Sequence, residues 1–107
     1  ASVGATRGVA GCTKTLARET AQHGITVNAI SPGYVLTPLV SAQIPDTAQA
    51  RGITEEEVVR DVLLAAQPTK EFVEINDVAE MVAFLCGNAA KGMTGSNISM
   101  DGGWTAK

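Results

Sequence analysis

The segment from Ile25 to Thr37 constrains this 107-residue chain more than any other. Ile25, Val27 and Ala29 alternate with Thr26 and Asn28 before Ile30 joins the apolar set, which predicts a short, substantially buried strand. The run stops at Pro32-Gly33, and a hydroxyl, Thr37, follows four residues after the glycine. Pro32 removes a backbone donor and ends the ladder, while Gly33, without a Cβ, lets another molecule approach the main chain closely. A strand that ends this way suits the carboxyl edge of a parallel sheet, where open α/β folds hold their ligands.

Length and composition narrow the remaining choices. One domain fits, burying somewhat over ~60% of its unfolded surface. At 45% hydrophobic and 18% charged residues, the composition is that of an ordinary globular protein. A net charge of −3 argues against non-specific nucleic-acid binding. One Trp, one Tyr and two Phe are too few for a base-stacking platform. No apolar run approaches the ~20 residues of a membrane span, and nothing at the N-terminus reads as a signal peptide. Cys12 and Cys86 stand far apart without metal-ligand neighbours, so two reduced, buried thiols in a cytoplasmic protein are expected. His23 is the only histidine, which excludes a multi-histidine metal site. It also has no serine or cysteine partner in a Gly-x-Ser-x-Gly elbow, so a hydrolase is disfavoured.

Helical signals flank the strand. From about Gly8 to His23, Val9, Cys12 and Leu16 recur on one helical face, with Gly24 as the stop. After Thr37 the pattern dissolves into a loop with one or two short helical turns over Pro38 to Gly52. Thr54-Glu55-Glu56-Glu57 reads as a capping box in which the hydroxyl and the last carboxylate satisfy each other's backbone donors. The helix it opens is expected to run to Ala66, with three acids at its positive end, and Pro68 stops it. These acids are better explained as a cap cluster than as an acid/base pair. Asn76 is expected to cap another helix through about Leu85, apolar along Ala79, Val82, Leu85 and Cys86, ending near Gly87. A last strand, Asn97 to Met100, leads into Asp101-Gly102-Gly103-Trp104.

Helix, strand, helical insertion, helix and strand, in that order, imply an α/β fold with two parallel strands joined by a right-handed crossover. The connection far exceeds the ~10–12 residues a crossover needs. Residues 38–70 are therefore an insertion at the strand's carboxyl end, either a lid over a ligand crevice or a helical subdomain packed for stability. The Pro-Gly loop in front of it favours the lid.

The order and separation of Gly8-Val9-Ala10-Gly11-Cys12-Thr13-Lys14, Glu19-Thr20-Ala21, Gly24 to Gly33 and Asp101-Gly102-Gly103-Trp104 resemble the short-chain dehydrogenase/reductase family. The run Pro32 to Val40, with Gln43-Ile44 and Gln67-Pro68, is similar to the D-3-hydroxybutyrate dehydrogenase branch. The likeness covers nearly the whole chain and corresponds to the C-terminal portion of a complete family enzyme. It implies a partial Rossmann-like fold: the helix-strand-lid-helix-strand part of a doubly wound parallel sheet, one domain over 1–107 with the substrate lid at 38–70. It also implies an oxidoreductase that uses NAD on a small hydroxy or keto acid. Pro32, Gly33 and Val35 would lie against the nicotinamide, with the Val35 backbone near its carboxamide, and the Thr37 hydroxyl would bond the cofactor. Gln43 matches a lid glutamine that bonds the substrate carboxylate. Trp104 matches a C-terminal tryptophan beside the same pocket, and Tyr34 an apolar wall over the substrate. The alternatives are structural: Thr37 as a helix cap, Gln43 as a solvated lid residue and Trp104 as a core anchor.

The departures are as specific as the match. Family members carry Tyr-x-x-x-Lys at the start of the first helix, and those places fall on Ser2 and Thr6. A serine holds its proton far too tightly to replace a phenol near neutral pH, and threonine supplies no positive charge to assist it. The family's glycine-rich phosphate loop, first strands and catalytic serine have no counterpart in this sequence. Gly92 to Gly95 does not substitute, lacking a strand before and a helix after. The resemblance thus implies an NAD-dependent lineage, with no cofactor bound and no reaction performed by this chain alone. Three roles remain open: a dehydrogenase fragment or subunit that needs a complementing chain, a non-catalytic homo-oligomeric association module, or a small enzyme with a repurposed pocket.

Overall fold

The computed structural model describes residues 2–106. They form two compact units: residues up to Ser31 together with Ala79–Ile98, and Pro32–Val78 together with residues from Ser99 on. Two short strands, β1 (Ala29–Pro32) and β2 (Asn97–Met100), pair as a two-stranded sheet. The bonds from Gly95 N–H to Val27, from Ala29 N–H to Ser96 and from Gly33 N–H to Met100 advance together along both segments, as parallel strands require.

The first unit begins with helix α1 (Ser2–Thr20), which starts well before the expected Gly8 and tightens into a 3₁₀ turn over Ala21–His23. Gly24 ends it at φ 73°, its N–H donating to the Ala21 carbonyl at 3.1 Å. This left-handed stop is the one the sequence predicts. The buried side of α1 carries Thr13 and Ala17, one turn apart, while Val9, Cys12 and Leu16 face outward. Small residues suit that side because Ala17 lies against Gly95, where an added Cβ would stand 3.4 Å from the alanine methyl. Cys12 and Cys86 are free and exposed, not buried as expected: Cys12 lies on the outward face of α1, and Cys86 just beyond α4 (Ile75–Leu85).

β1 is shorter than the predicted Ile25 to Ser31 because side chains replace the ladder at its start. Thr94 Oγ1 accepts the Val27 N–H at 3.1 Å. The Asn28 carboxamide donates to the Met93 carbonyl at 2.8 Å and accepts the Ser96 N–H at 3.1 Å. β2 spans the residues expected of it. Asn76 lies inside α4 and does not cap it; the cap place falls on Glu74, whose carbonyl accepts the Val78 N–H at 3.3 Å.

In the second unit, the segment read as a loop with short turns is a 14-residue helix, α2 (Pro38–Arg51). Thr37 caps its start, Pro38 takes the first turn where no donor is needed, and Gly52 closes it at φ 65°. Pro45 inside the helix and the lack of an apolar period hide it from a sequence reading. Next comes α3 (Glu55–Glu57), which passes into a π-helical stretch over Val58–Leu63 and stops at Leu64, short of the expected Ala66. Thr54 Oγ1 accepts the Glu57 N–H at 3.1 Å and pairs with the Glu57 carboxylate at 3.1 Å, so the box closes hydroxyl to carboxylate, not carboxylate to backbone. Val58 and Leu64 are fully buried and, with Ala48 of α2, form the apolar centre of this unit.

Candidate functional site

Every candidate binding residue, from Pro32 to Thr37 with Gln43 and Trp104, lies in the second unit. Beyond β1 the chain continues as a single bridge, Val35 opposite Val73, in parallel register. Val73 supplies both bonds: its N–H donates to the Tyr34 carbonyl at 2.8 Å and its carbonyl accepts the Leu36 N–H at 3.2 Å. In this pattern the N–H and C=O of Val35 itself point away from Val73. Among the described residues no hydrogen bond uses them. One residue pair further on, the Thr37 hydroxyl oxygen accepts the Val40 N–H at 3.3 Å, so Thr37 is a helix cap, with its hydroxyl proton still free to donate.

Gly33 is enclosed by its own chain. A Cβ placed there would collide with Gln67 Oε1 and stand 3.0 Å from Asp101 Cα. The missing side chain therefore admits Gln67 on that side, an intramolecular approach where the sequence suggested an external one. Gln67 is only 1% exposed. Its Oε1 accepts the Tyr34 N–H at 2.6 Å, and its Nε2 donates to the Glu71 carbonyl at 2.7 Å. Gly102, at φ 58°, and Gly103, at φ 89°, turn the chain around the same residues, Gln67, Pro68 and Thr69. Sequence reasoning marked Gln67 only as part of a dipeptide likeness. The available signal was three glycines demanding close neighbours and a polar residue directly following the apolar run that ends at Ala66.

Asp101 fixes the turn. Its carboxylate accepts the Thr105 hydroxyl at 2.6 Å, the Gly103 N–H at 3.1 Å and the Thr105 N–H at 3.2 Å. These bonds, the Thr105 hydroxyl first, hold the Asp101 carboxyl below the usual carboxylate range. The Trp104 N–H donates back to the Asp101 carbonyl at 3.1 Å, and its side chain is 40% exposed, which is not a core anchor. Lys70 adopts the left-handed region, φ 55°, and its ammonium donates to the Leu64 and Ala65 carbonyls at 2.9 Å each, capping the end of the π-helical stretch.

Gln43 is exposed on α2, and among the described residues no hydrogen bond joins Gln43, Tyr34 and Trp104 to one another. A cleft of about 330 Å³ opens between Thr69, Val73, Asp77, Met100 and Gly102, and none of those three side chains lines it. Ser2 and Thr6 lie one turn apart on α1, in the first unit. The described residues hold no cluster of His, Cys, Asp and Glu able to bind a metal, and no helix long and apolar enough to cross a membrane.

The family model for enoyl-(acyl carrier protein) reductase matches residues 3–105. The chain belongs to the short-chain dehydrogenase/reductase family. Over all 107 residues it is 55% identical to the D-beta-hydroxybutyrate dehydrogenase of Rhizobium meliloti, and it spans 42% of that relative's length. A short chain dehydrogenase family protein from Francisella tularensis superposes over 94% of this chain and 41% of its own with a TM-score of 0.81 at 35% identity. L-sorbose reductase from Gluconobacter frateurii, solved with NADPH and L-sorbose, superposes over 92% of this chain and 37% of its own, with a TM-score of 0.80 at 30% identity. The fold is accordingly the C-terminal part of a short-chain dehydrogenase Rossmann fold, and nicotinamide dinucleotides belong to the family.

Proposed function

We propose that this chain supplies the nicotinamide-side loop and the substrate-facing segment of an NAD-dependent dehydrogenase for a small hydroxy acid of the 3-hydroxybutyrate type. The observation that supports it best is Val35, whose backbone donor and acceptor are turned out of the Val73 bridge and, among the described residues, have no hydrogen-bond partner. A carboxamide, with one acceptor and a two-proton donor, is the complement of such a pair. The residues present therefore fit the nicotinamide end of the cofactor. The bound nicotinamide would supply the hydride acceptor. Val35 would hold and orient its carboxamide, Thr37 would donate its spare hydroxyl proton, and Pro32 and Gly33 would form the floor. Gln43 would donate to the substrate carboxylate, with Tyr34 and Trp104 excluding water on either side.

Proton transfer from the substrate hydroxyl is not provided by these residues. Ser2 and Thr6 stand at the places of the family's tyrosine and lysine, and a serine hydroxyl is far too weak an acid to take the tyrosine's part. The reading is therefore of residues 1–107 inactive by themselves, the proton-transfer and phosphate-binding parts lying outside them. Calorimetry on the isolated chain should show no NAD(H) binding at millimolar cofactor, and a micromolar Kd would contradict this. A chimera joining the preceding part of the Rhizobium relative to residues 8–107 of this chain should oxidise D-3-hydroxybutyrate with NAD. A folded chimera inactive toward that acid would overturn the reading.

A second reading, a homo-oligomeric association module without catalysis, is favoured by the outward apolar face of α1, where Val9 is 60% and Leu16 47% exposed.

A further inference from the structure

We propose that Gln67 is a positioning residue: its carboxamide locks the Tyr34–Val35 backbone to the Asp101–Trp104 turn, so that cofactor and substrate walls are held as one body. What that backbone binds rests on the dehydrogenase reading above. The lock itself stands on three segments converging on one side chain. Its Oε1 takes the Tyr34 N–H, its Nε2 holds the Glu71 carbonyl, and its stem lies where a Cβ on Gly102 would meet Cγ and Nε2 at 3.1 Å each. The backbone of Gln67 is equally occupied, donating to Leu64 and accepting from Lys70 at 3.0 Å each.

Space filling does not account for this choice. A buried carboxamide carries a desolvation cost that an apolar side chain of the same length avoids, and it is recovered only through hydrogen bonds. What the carboxamide adds is direction. It fixes one specific amide, that of Tyr34, next to the residue whose free N–H and C=O face outward. A binding backbone has to be held to within roughly 0.5 Å to be productive, and Gln67 holds Val35 through its neighbour. Gly33 and Gly102 are then the two clearances that let the lock sit between the loop and the turn.

The unaltered, isotope-labelled chain gives the first test. A through-hydrogen-bond scalar coupling between Tyr34 N and Gln67 Cδ is expected by NMR, and its absence would overturn the proposal. In Gln67→Met, which keeps length but neither bond, Tyr34 amide exchange should rise on the order of tenfold. The Gly33 and Val73 amides, bonded to Met100 and Tyr34 carbonyls, should keep their protection. Unchanged Tyr34 exchange, or an equal rise at all three amides, would count against the lock. In the chimera, Gln67→Met should raise KM for NAD several-fold with kcat little changed, and unaltered kinetics would refute the positioning role. An inactive parent chimera fails the dehydrogenase reading instead, and the coupling and exchange results then decide the lock.

Discussion

Gln67 Oε1 lies 2.6 Å from the amide nitrogen of Tyr34, and the residue just before that tyrosine is a glycine whose Cβ position the same oxygen occupies. Past β1, the Gly33 N–H still donates to the Met100 carbonyl, and Tyr34 N–H is the next donor, bonded to a side chain and not to β2. A side chain 33 residues further along the chain supplies the acceptor. The Pro-Gly sequence that ends the strand and the glutamine that completes it are two halves of one device.

Gly33→Ala tests the steric half. Gly33 has no positive φ, so alanine is conformationally allowed and only the collision with Gln67 and Asp101 matters. Overpacking of this kind costs roughly 1–3 kcal/mol. Urea unfolding should show Gly33→Ala destabilised by about that amount, and by clearly less when Gln67→Ala has opened the space. Equal losses in both backgrounds would mean that the contact carries no energy.

Thr37 does one task in the free chain and a second in the proposed complex. Removing the cap by Thr37→Val should cost about 1 kcal/mol of stability, while Thr37→Ser should keep the cap and leave stability close to the parent. In the chimera the valine variant should also raise KM for NAD, with serine close to the parent. Equal KM values for all three would leave Thr37 a cap and nothing more.

Two carboxyls lie below the ordinary range, Asp61 beside Arg60 and Asp101 in its turn, and the Asp101 turn makes acid stability depend in part on its carboxylate. Its folded pKa lies below the unfolded value, so the stabilisation is complete above the ordinary ~3.9 and is lost as pH falls through the lowered folded value. Thr105→Val removes the first cause of the shift. NMR titration of the Asp101 carboxyl carbon should show its pKa rising toward the ordinary range, with the acid limb of the stability curve flattened. A pKa unmoved by Thr105→Val would assign the shift to the backbone donors alone.

Much of this architecture was legible in local chemistry. Gly24 as a left-handed stop, Thr54 as a cap and Asn97–Met100 as the last strand need only their neighbours in sequence to act as they do. α2 was not legible, because Pro45 interrupts its hydrogen bonding and its stability comes from packing on the segment around Val58. The outward Cys12 was missed because helical spacing says which residues share a face, not which face is covered. Gln67 was missed for a related reason: burial of a polar side chain is set by partners distant in sequence, here Tyr34 and Gly102. The loop from Pro32 to Thr37 was read correctly as a strand end, yet the approach that its glycine permits comes from within the chain.

Assembly gives the broadest test. A two-stranded sheet leaves both outer edges unpaired and is rarely stable by itself. Val9, Leu16 and Cys12 together face outward on α1, and Val82 and Phe84 are also about half exposed on α4. Burying one large apolar side chain is worth roughly 1.5–3 kcal/mol, so covering several is comparable to the whole stability of a small domain. We propose a homo-oligomer of this chain, most simply a two-fold dimer that pairs strand edges or first helices. Analytical ultracentrifugation at low micromolar concentration should show it, and Val9→Glu with Leu16→Lys should dissociate it or lower its midpoint if α1 is the paired face. Strand-edge pairing would survive those two changes. A cooperatively melting monomer in the unaltered chain would show that these faces need no partner, and the association reading would fall.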